Sequence, residues 1–257
     1  MKQGILVVSF GTSVPGTRER TIGAIEGEAA LRWPEARVAR AFTSPTIRRK
    51  LAREGLAVDD VPAALRRMEE AGVARLAVLP TYVMGGLEYQ GLLEDCAQAA
   101  GRFQSLDTAP PLLSSAEDLR AAAAALAGRH PGLGKEEALV LMGHGTSHLG
   151  DFAYAALEYA FRDRGMKNVL VATVEGWPDF DCLTRRLEEL RPRRVILRPL
   201  MTTAGEHIRN DMVGEGPDSW RSRLLGLGYQ VECVLEGLGE IPAAREIFLG
   251  HLAAVMQ

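Results

Sequence analysis

Three side chains have the types and surroundings to handle a metal ion: His144 in Met142-Gly143-His144-Gly145-Thr146-Ser147, Glu175 in Val174-Glu175-Gly176-Trp177-Pro178, and His207 in Gly205-Glu206-His207-Ile208-Arg209. Each follows a short apolar run, Ala138–Met142, Val169–Val174 and Val195–Leu200. Each is therefore expected at the carboxyl end of a strand, where loops carry side chains into a cleft. Two imidazoles and a carboxylate suit late first-row divalent ions such as Co²⁺, Ni²⁺, Fe²⁺ and Zn²⁺, and the carboxylate can ligate or accept protons. Plainer readings stand beside this one. His144 could cap a helix from a turn, Glu175 could be a helix-capping acid, and His207 could be an exposed polar residue. His148, four residues after His144, is expected to support the site or line its entrance rather than ligate. His130, beside Pro131-Gly132, and His251, in the last helix, read as structural or solvated.

The elements that must hold these residues follow from periodicity. Continuous apolar runs at Ile5–Val8, Leu76–Leu79, Ala138–Met142, Val169–Val174 and Val195–Leu200 alternate with helical patterns near Thr17–Leu31, Pro62–Ala71, Glu88–Ala100, Ala116–Ala127, Phe152–Arg164, Phe180–Leu190 and Ile241–Val255. Unbroken rather than alternating apolar strands joined by helices predict an α/β protein with parallel sheets covered on both faces.

The chain also repeats itself. Val8-Ser9-Phe10-Gly11-Thr12-Ser13 resembles Met142-Gly143-His144-Gly145-Thr146-Ser147, with Gly11 and Gly145 134 residues apart. Pro45 and Pro178 are 133 apart, and Pro80, Gly86 and Glu88 lie 119 before Pro199, Gly205 and His207. This predicts two similar lobes, residues 1–128 and 129–257, with the last helix free to pack back on the first lobe. The shorter third offset puts about fourteen extra residues in the first half, expected in the polar stretch Arg53–Pro62. The first-half counterparts of His144, Glu175 and His207 are Phe10, Phe42 and Glu88, so the cleft is expected to be asymmetric. One wall carries ligands; the other carries apolar faces and the small pair Gly85-Gly86, which would let a flat molecule approach the backbone.

With 30 Lys+Arg against 33 Asp+Glu the formal net charge is −3, which leaves no basic surplus for a nucleic acid. The loops match neither GxGxxG nor GxxxxGK[ST], so a nucleotide is a weak reading. Three cysteines without a CxxC pair fit a reducing compartment, and Ile5–Val8 is too short for a leader core or a membrane span, so a cytoplasmic protein is expected. Cys96 and Met84 fit core packing better than an additional ligand role, and a homo-oligomer remains compatible with the chain.

Together, Leu6-Val7-Val8-Ser9-Phe10-Gly11-Thr12-Ser13, Met142-Gly143-His144-Gly145-Thr146, Val174-Glu175-Gly176-Trp177-Pro178 and Leu200-Met201-Thr202-Thr203-Ala204-Gly205-Glu206-His207-Ile208-Arg209-Asn210-Asp211-Met212 resemble the anaerobic sirohydrochlorin cobaltochelatases of the class II chelatase family. The resemblance spans nearly the whole chain. It implies a ferrochelatase-like pair of α/β lobes with the tetrapyrrole between them, and insertion of Co²⁺, or of Fe²⁺ or Ni²⁺ as in other members, without a nucleotide. It further implies that His144 and His207 hold the incoming metal and that Glu175 joins them as ligand or proton acceptor. The tetrapyrrole is rich in carboxylates, so Thr12, Ser13, Thr146, Ser147, Thr202, Thr203 and Arg209 are candidates to meet it, along with Phe10, Gly85, Gly86 and Glu88. Two competing classes are a carrier that binds tetrapyrrole or metal without chemistry, and a metal-dependent hydrolase with Glu175 as base.

Overall fold

The computed structural model describes residues 2–205 and 208–256. Strands β1 (Gln3–Ser9), β2 (Arg37–Phe42), β3 (Arg75–Pro80) and β4 (Ser105–Thr108) form one parallel sheet in the order β2-β1-β3-β4. Strands β5 (Glu137–Gly143), β6 (Val169–Thr173), β7 (Arg194–Pro199) and β8 (Gln230–Cys233) form a second with the same order, β6-β5-β7-β8. The expected α/β class and internal repeat are both present. Ile5–Val8 and Ala138–Met142 are fully buried because helices cover both faces of each central strand.

Between the strands run α1 (Pro15–Arg18), continued by a π-helical stretch Glu19–Gly23 into α2 (Ala24–Arg32), then α3 (Pro45–Arg53), α4 (Val61–Glu70), α5 (Leu87–Ala99), α6 (Ala116–Ala127), α7 (Phe152–Asp163), α8 (Phe180–Leu190), α9 (Trp220–Gly226) and α10 (Pro242–Val255). Starts are set by side-chain caps: Ser44, Asp60, Ser115, Asp179 and Ser219 each accept a backbone N–H three residues on. The extra length of the first half is more than a loop. In the second half α8 follows Pro178 almost at once, whereas Pro45 opens a whole additional helix, α3, before the loop that leads to α4. The sequence around α3 is dominated by Arg and Lys, which hid its single buried contact, Leu51.

Helix α10 crosses back to the first lobe, packing on β3, α2 and α6, while α6 packs on α7 of the second. Phe248, Leu249 and Leu252 of α10, Ala122, Ala123 and Leu126 of α6, and Leu157 and Phe161 of α7 thus join Ile5, Val7, Leu139 and Leu141 of both sheets in one shared core. The outer face of each sheet has a core of its own.

The two connectors between the lobes meet at a polar cluster. Arg198, 1% exposed on β7, donates to Glu236, which also accepts from Arg129 at 2.7 Å, and Arg198 Nη1 donates to His130 Nε2 at 3.3 Å. Burial lowers the Arg198 guanidinium from its ordinary value, and Glu236 opposes this. Burial alone would raise the Glu236 carboxyl, but hydrogen bonds from Arg129 and Arg198 outweigh it and hold the group below the usual range. Removing the charge at residue 236 leaves a buried guanidinium uncompensated. Glu236→Gln is expected to cost about 3 kcal/mol of stability in urea or thermal unfolding; an unchanged midpoint would show that the cluster is not stabilising.

Candidate active site

The carboxyl ends of both sheets face each other. Thr202, just past β7, donates its hydroxyl to the Thr81 carbonyl just past β3, and Thr81 shares a 2.7 Å hydrogen bond with Ser9 at the end of β1. Gly205 approaches Thr12. The turn His148–Gly150 rests on Gly85, so closely that a Cβ at residue 150 would overlap the Gly85 carbonyl, and His148 Nε2 meets the Gln90 amide at 2.8 Å. In a β2-β1-β3-β4 sheet the crossovers diverge between β1 and β3, which opens the strand ends there. His144 follows β5, the central counterpart of β1, and Glu175 follows its neighbour β6.

His144 and Glu175 come together. Nδ1 of the imidazole lies 3.9 Å from Oε2 of the carboxylate and 3.1 Å from the Gly145 carbonyl oxygen. Both side chains reach solvent, 41% and 64% exposed, so an ion or a substrate can approach them. The backbone fixes this pairing: the N–H groups of Val174 and Glu175 both donate to the His144 carbonyl, Glu175 at 2.8 Å. Gly145 sits at φ +86°, and a Cβ there would overlap the Gly176 nitrogen. Behind the loop, burial pushes the Tyr154 phenol up to about 12, backbone hydrogen bonds at Gly145 and His144 offsetting this only in part, so it stays a neutral prop. His207 lies outside the described residues. Among the described residues, no three His, Cys, Asp or Glu side chains converge as a metal-binding group.

The remaining candidates separate by burial. Phe10 is exposed at the end of β1, and Glu88 is exposed in the first turn of α5. Phe42, read as part of the apolar wall, is fully buried: Gly11, at φ +100°, stacks its backbone against the ring, leaving a Cβ only 2.6 Å from Cδ2. It belongs to the core and offers no face to the cleft. Thr12 is buried, its hydroxyl accepting the Val14 N–H at 3.2 Å, whereas Ser13 Oγ and Arg18 Nη1 are buried and find no hydrogen-bond partner among the described residues. Gly86 is buried, with Thr146 of the opposite lobe beside it, and Gly85 is half-buried against Gly150. Thr146 accepts the His148 N–H at 3.2 Å, Thr203 is half-buried, and Ser147 and Arg209 are exposed. His148 does not pair with His144; its Nδ1 accepts the Gly150 N–H at 3.0 Å and starts a 3-10 turn. His251 bridges the Pro110 carbonyl and Asp118.

Two features escaped the sequence reading. Leu87, Leu149, Phe152 and Trp177 are exposed apolar side chains on the segments flanking the His144 loop, and an apolar residue at a helix start carries no signal of its own. The other is Asp151, 5% exposed, whose carboxylate accepts the Thr146 N–H at 3.0 Å and the Trp177 N–H. In the sequence it is one acid before a helix. The crowding at Gly145 can be tested against Gly165, also at positive φ (+79°) but facing open space. Gly165→Ala is expected to cost about 1–2 kcal/mol from conformation alone, and Gly145→Ala distinctly more; equal losses of melting temperature would deny the close loop contact.

The family model described as Cobalt chelatase (CbiK) matches residues 3–257. The chain is 37% identical over 253 residues to a sirohydrochlorin cobaltochelatase of Salmonella typhimurium, covering 98% of this chain and 96% of that one. It is 35% identical over 265 residues to the sirohydrochlorin cobaltochelatase CbiKC of Nitratidesulfovibrio vulgaris, covering 99% and 91%. Among solved structures, the sirohydrochlorin chelatase SirB of Bacillus subtilis subspecies spizizenii in complex with cobalt superposes with a TM-score of 0.65 at 14% identity, covering 99% and 95%, which establishes the shared fold. With two parallel sheets whose strand ends bring His144 to Glu175, and a full-length match to the family model, the chain belongs to the CbiK cobalt chelatase family.

Proposed function

We propose that this protein is a chelatase that inserts Co²⁺ into sirohydrochlorin, with His144 and His207 delivering the ion and Glu175 taking up protons. The observation that carries this reading is the imidazole–carboxylate pair at 3.9 Å, solvent-accessible and at the facing strand ends, in a member of a cobalt chelatase family. Insertion exchanges pyrrole N–H protons for one divalent ion. A delivery site must therefore hold the metal, remove protons beside it, and let go. Neutral imidazoles with one carboxylate bind more loosely than a closed four-ligand site, so the ring nitrogens can win the ion. The exposed Glu175 carboxylate can pass the proton on to water. The exposed Phe10, Leu87, Leu149, Phe152 and Trp177 suit the flat macrocycle. Its carboxylates suit Ser13, Thr203 and the buried Arg18 guanidinium, whose Nη1 meets no acceptor among the described residues.

Mixing sub-stoichiometric protein with sirohydrochlorin and Co²⁺, Fe²⁺ and Ni²⁺ together, and following the absorption spectrum, tests both reaction and metal. The expected result is many equivalents of cobalt product per protein. A single equivalent marks a carrier, and preferential iron product moves the reading to sirohaem formation. His144→Ala and His207→Ala are expected to abolish insertion with the circular dichroism and melting temperature preserved; near-parental turnover removes that residue from the mechanism. Glu175→Gln is expected to slow insertion by about 10²–10⁴-fold if it is the proton acceptor, with a much smaller loss of Co²⁺ affinity.

A further inference from the structure

We propose that Asp151 is the positioning residue of the delivery site: its buried carboxylate ties the loop carrying His144 to the loop carrying Glu175 and thereby sets their separation. The proposal rests on the reading of His144 and Glu175 as partners in metal delivery. Asp151 stands at the junction of the 3-10 turn Leu149–Asp151 with α7, and only 5% of it is exposed. One oxygen, Oδ1, accepts the N–H of Thr146, two residues after His144, at 3.0 Å. The other, Oδ2, accepts the N–H of Trp177, two residues after Glu175. One rigid, planar group thus spans two loops that belong to different strands.

The surroundings are shaped for it. Gly176 leaves the room the carboxylate occupies, since a Cβ at 176 would overlap Asp151 Oδ2. Gly145 leaves the room the Gly176 backbone occupies in turn. A carboxylate accepting backbone N–H groups through both oxygens makes stronger bonds than a neutral acceptor. An amide cannot replace it: one of its two polar atoms is an NH₂, so either Thr146 or Trp177 loses its acceptor and meets a donor. Asp151 touches neither metal nor macrocycle in this scheme. It acts through the distance between the two groups that do.

Supporting residues of this kind change metal affinity by roughly 10–100-fold. Asp151→Asn is expected to raise the KM for Co²⁺ by roughly that factor and to weaken, to the same degree, the binding of Co²⁺ alone followed by its visible absorption bands. The KM for sirohydrochlorin should rise less than that for Co²⁺, because Asp151 reaches the macrocycle only through Trp177 and its neighbours, a part of the apolar surface proposed to meet it. A role confined to fold stability would instead lower the active fraction, reducing kcat with both KM values unchanged, and that pattern overturns the proposal. So does a Co²⁺ KM within twofold of the parental value in a folded variant. If Asp151→Asn fails to fold, Gly176→Ala serves, since its methyl displaces the carboxylate from the other side, and the same rise in the Co²⁺ KM is expected. His144→Ala separates the two layers of inference. If it leaves Co²⁺ binding intact, the delivery-site reading fails and the positioning role with it. If it removes binding while Asp151→Asn and Gly176→Ala do not, only the positioning role fails.

Discussion

The structure depends on two loops from neighbouring strands lying almost in contact. Backbone N–H groups of Val174 and Glu175 donate to the His144 carbonyl, Gly145 lies flat on Gly176, and Asp151 accepts from both sides. None of these contacts involves the tips of His144 or Glu175. Both of those side chains are exposed to solvent above a base that these backbone contacts hold together.

The wider fold serves the same end. Two sheets with identical strand order present their carboxyl ends to each other, and α6 and α10 each cross to the opposite lobe, so the lobes share a core instead of meeting across a flexible linker. Contacts at Thr81–Thr202, Gly85–Gly150 and Gln90–His148 bring the lobes together at the strand ends, close to the site. A planar substrate gripped there would meet rigid walls, with orientation as the main contribution of the protein scaffold.

The repeat also explains what diverged. Gly11 and Gly145 occupy matching turns at positive φ, yet Gly11 rests on the ring of Phe42 and Gly145 on the backbone of Gly176. The first lobe packs its turn against a core side chain; the second packs it against the backbone of the loop that carries Glu175. That difference turned Phe42, the counterpart of Glu175, into a buried residue although its position in the repeat suggested the cleft.

By itself the sequence determined the α/β class, the doubling, and the nearness of His144 and Glu175 to strand ends, because buried parallel strands leave unbroken apolar runs and turns at positive φ leave glycine. It did not reveal β4 (Ser-Leu-Asp-Thr), β8 or α3, whose polar faces at the sheet edge or surface dilute the apolar signal. Nor did it reveal the burial of Phe42, the contact of Gly85 with Gly150, or the bridge made by Asp151. These were decided only by tertiary structure, since each depends on which segments distant in sequence come within a few ångströms. A periodic pattern records which face of an element is buried; it holds no record of what that face is buried against.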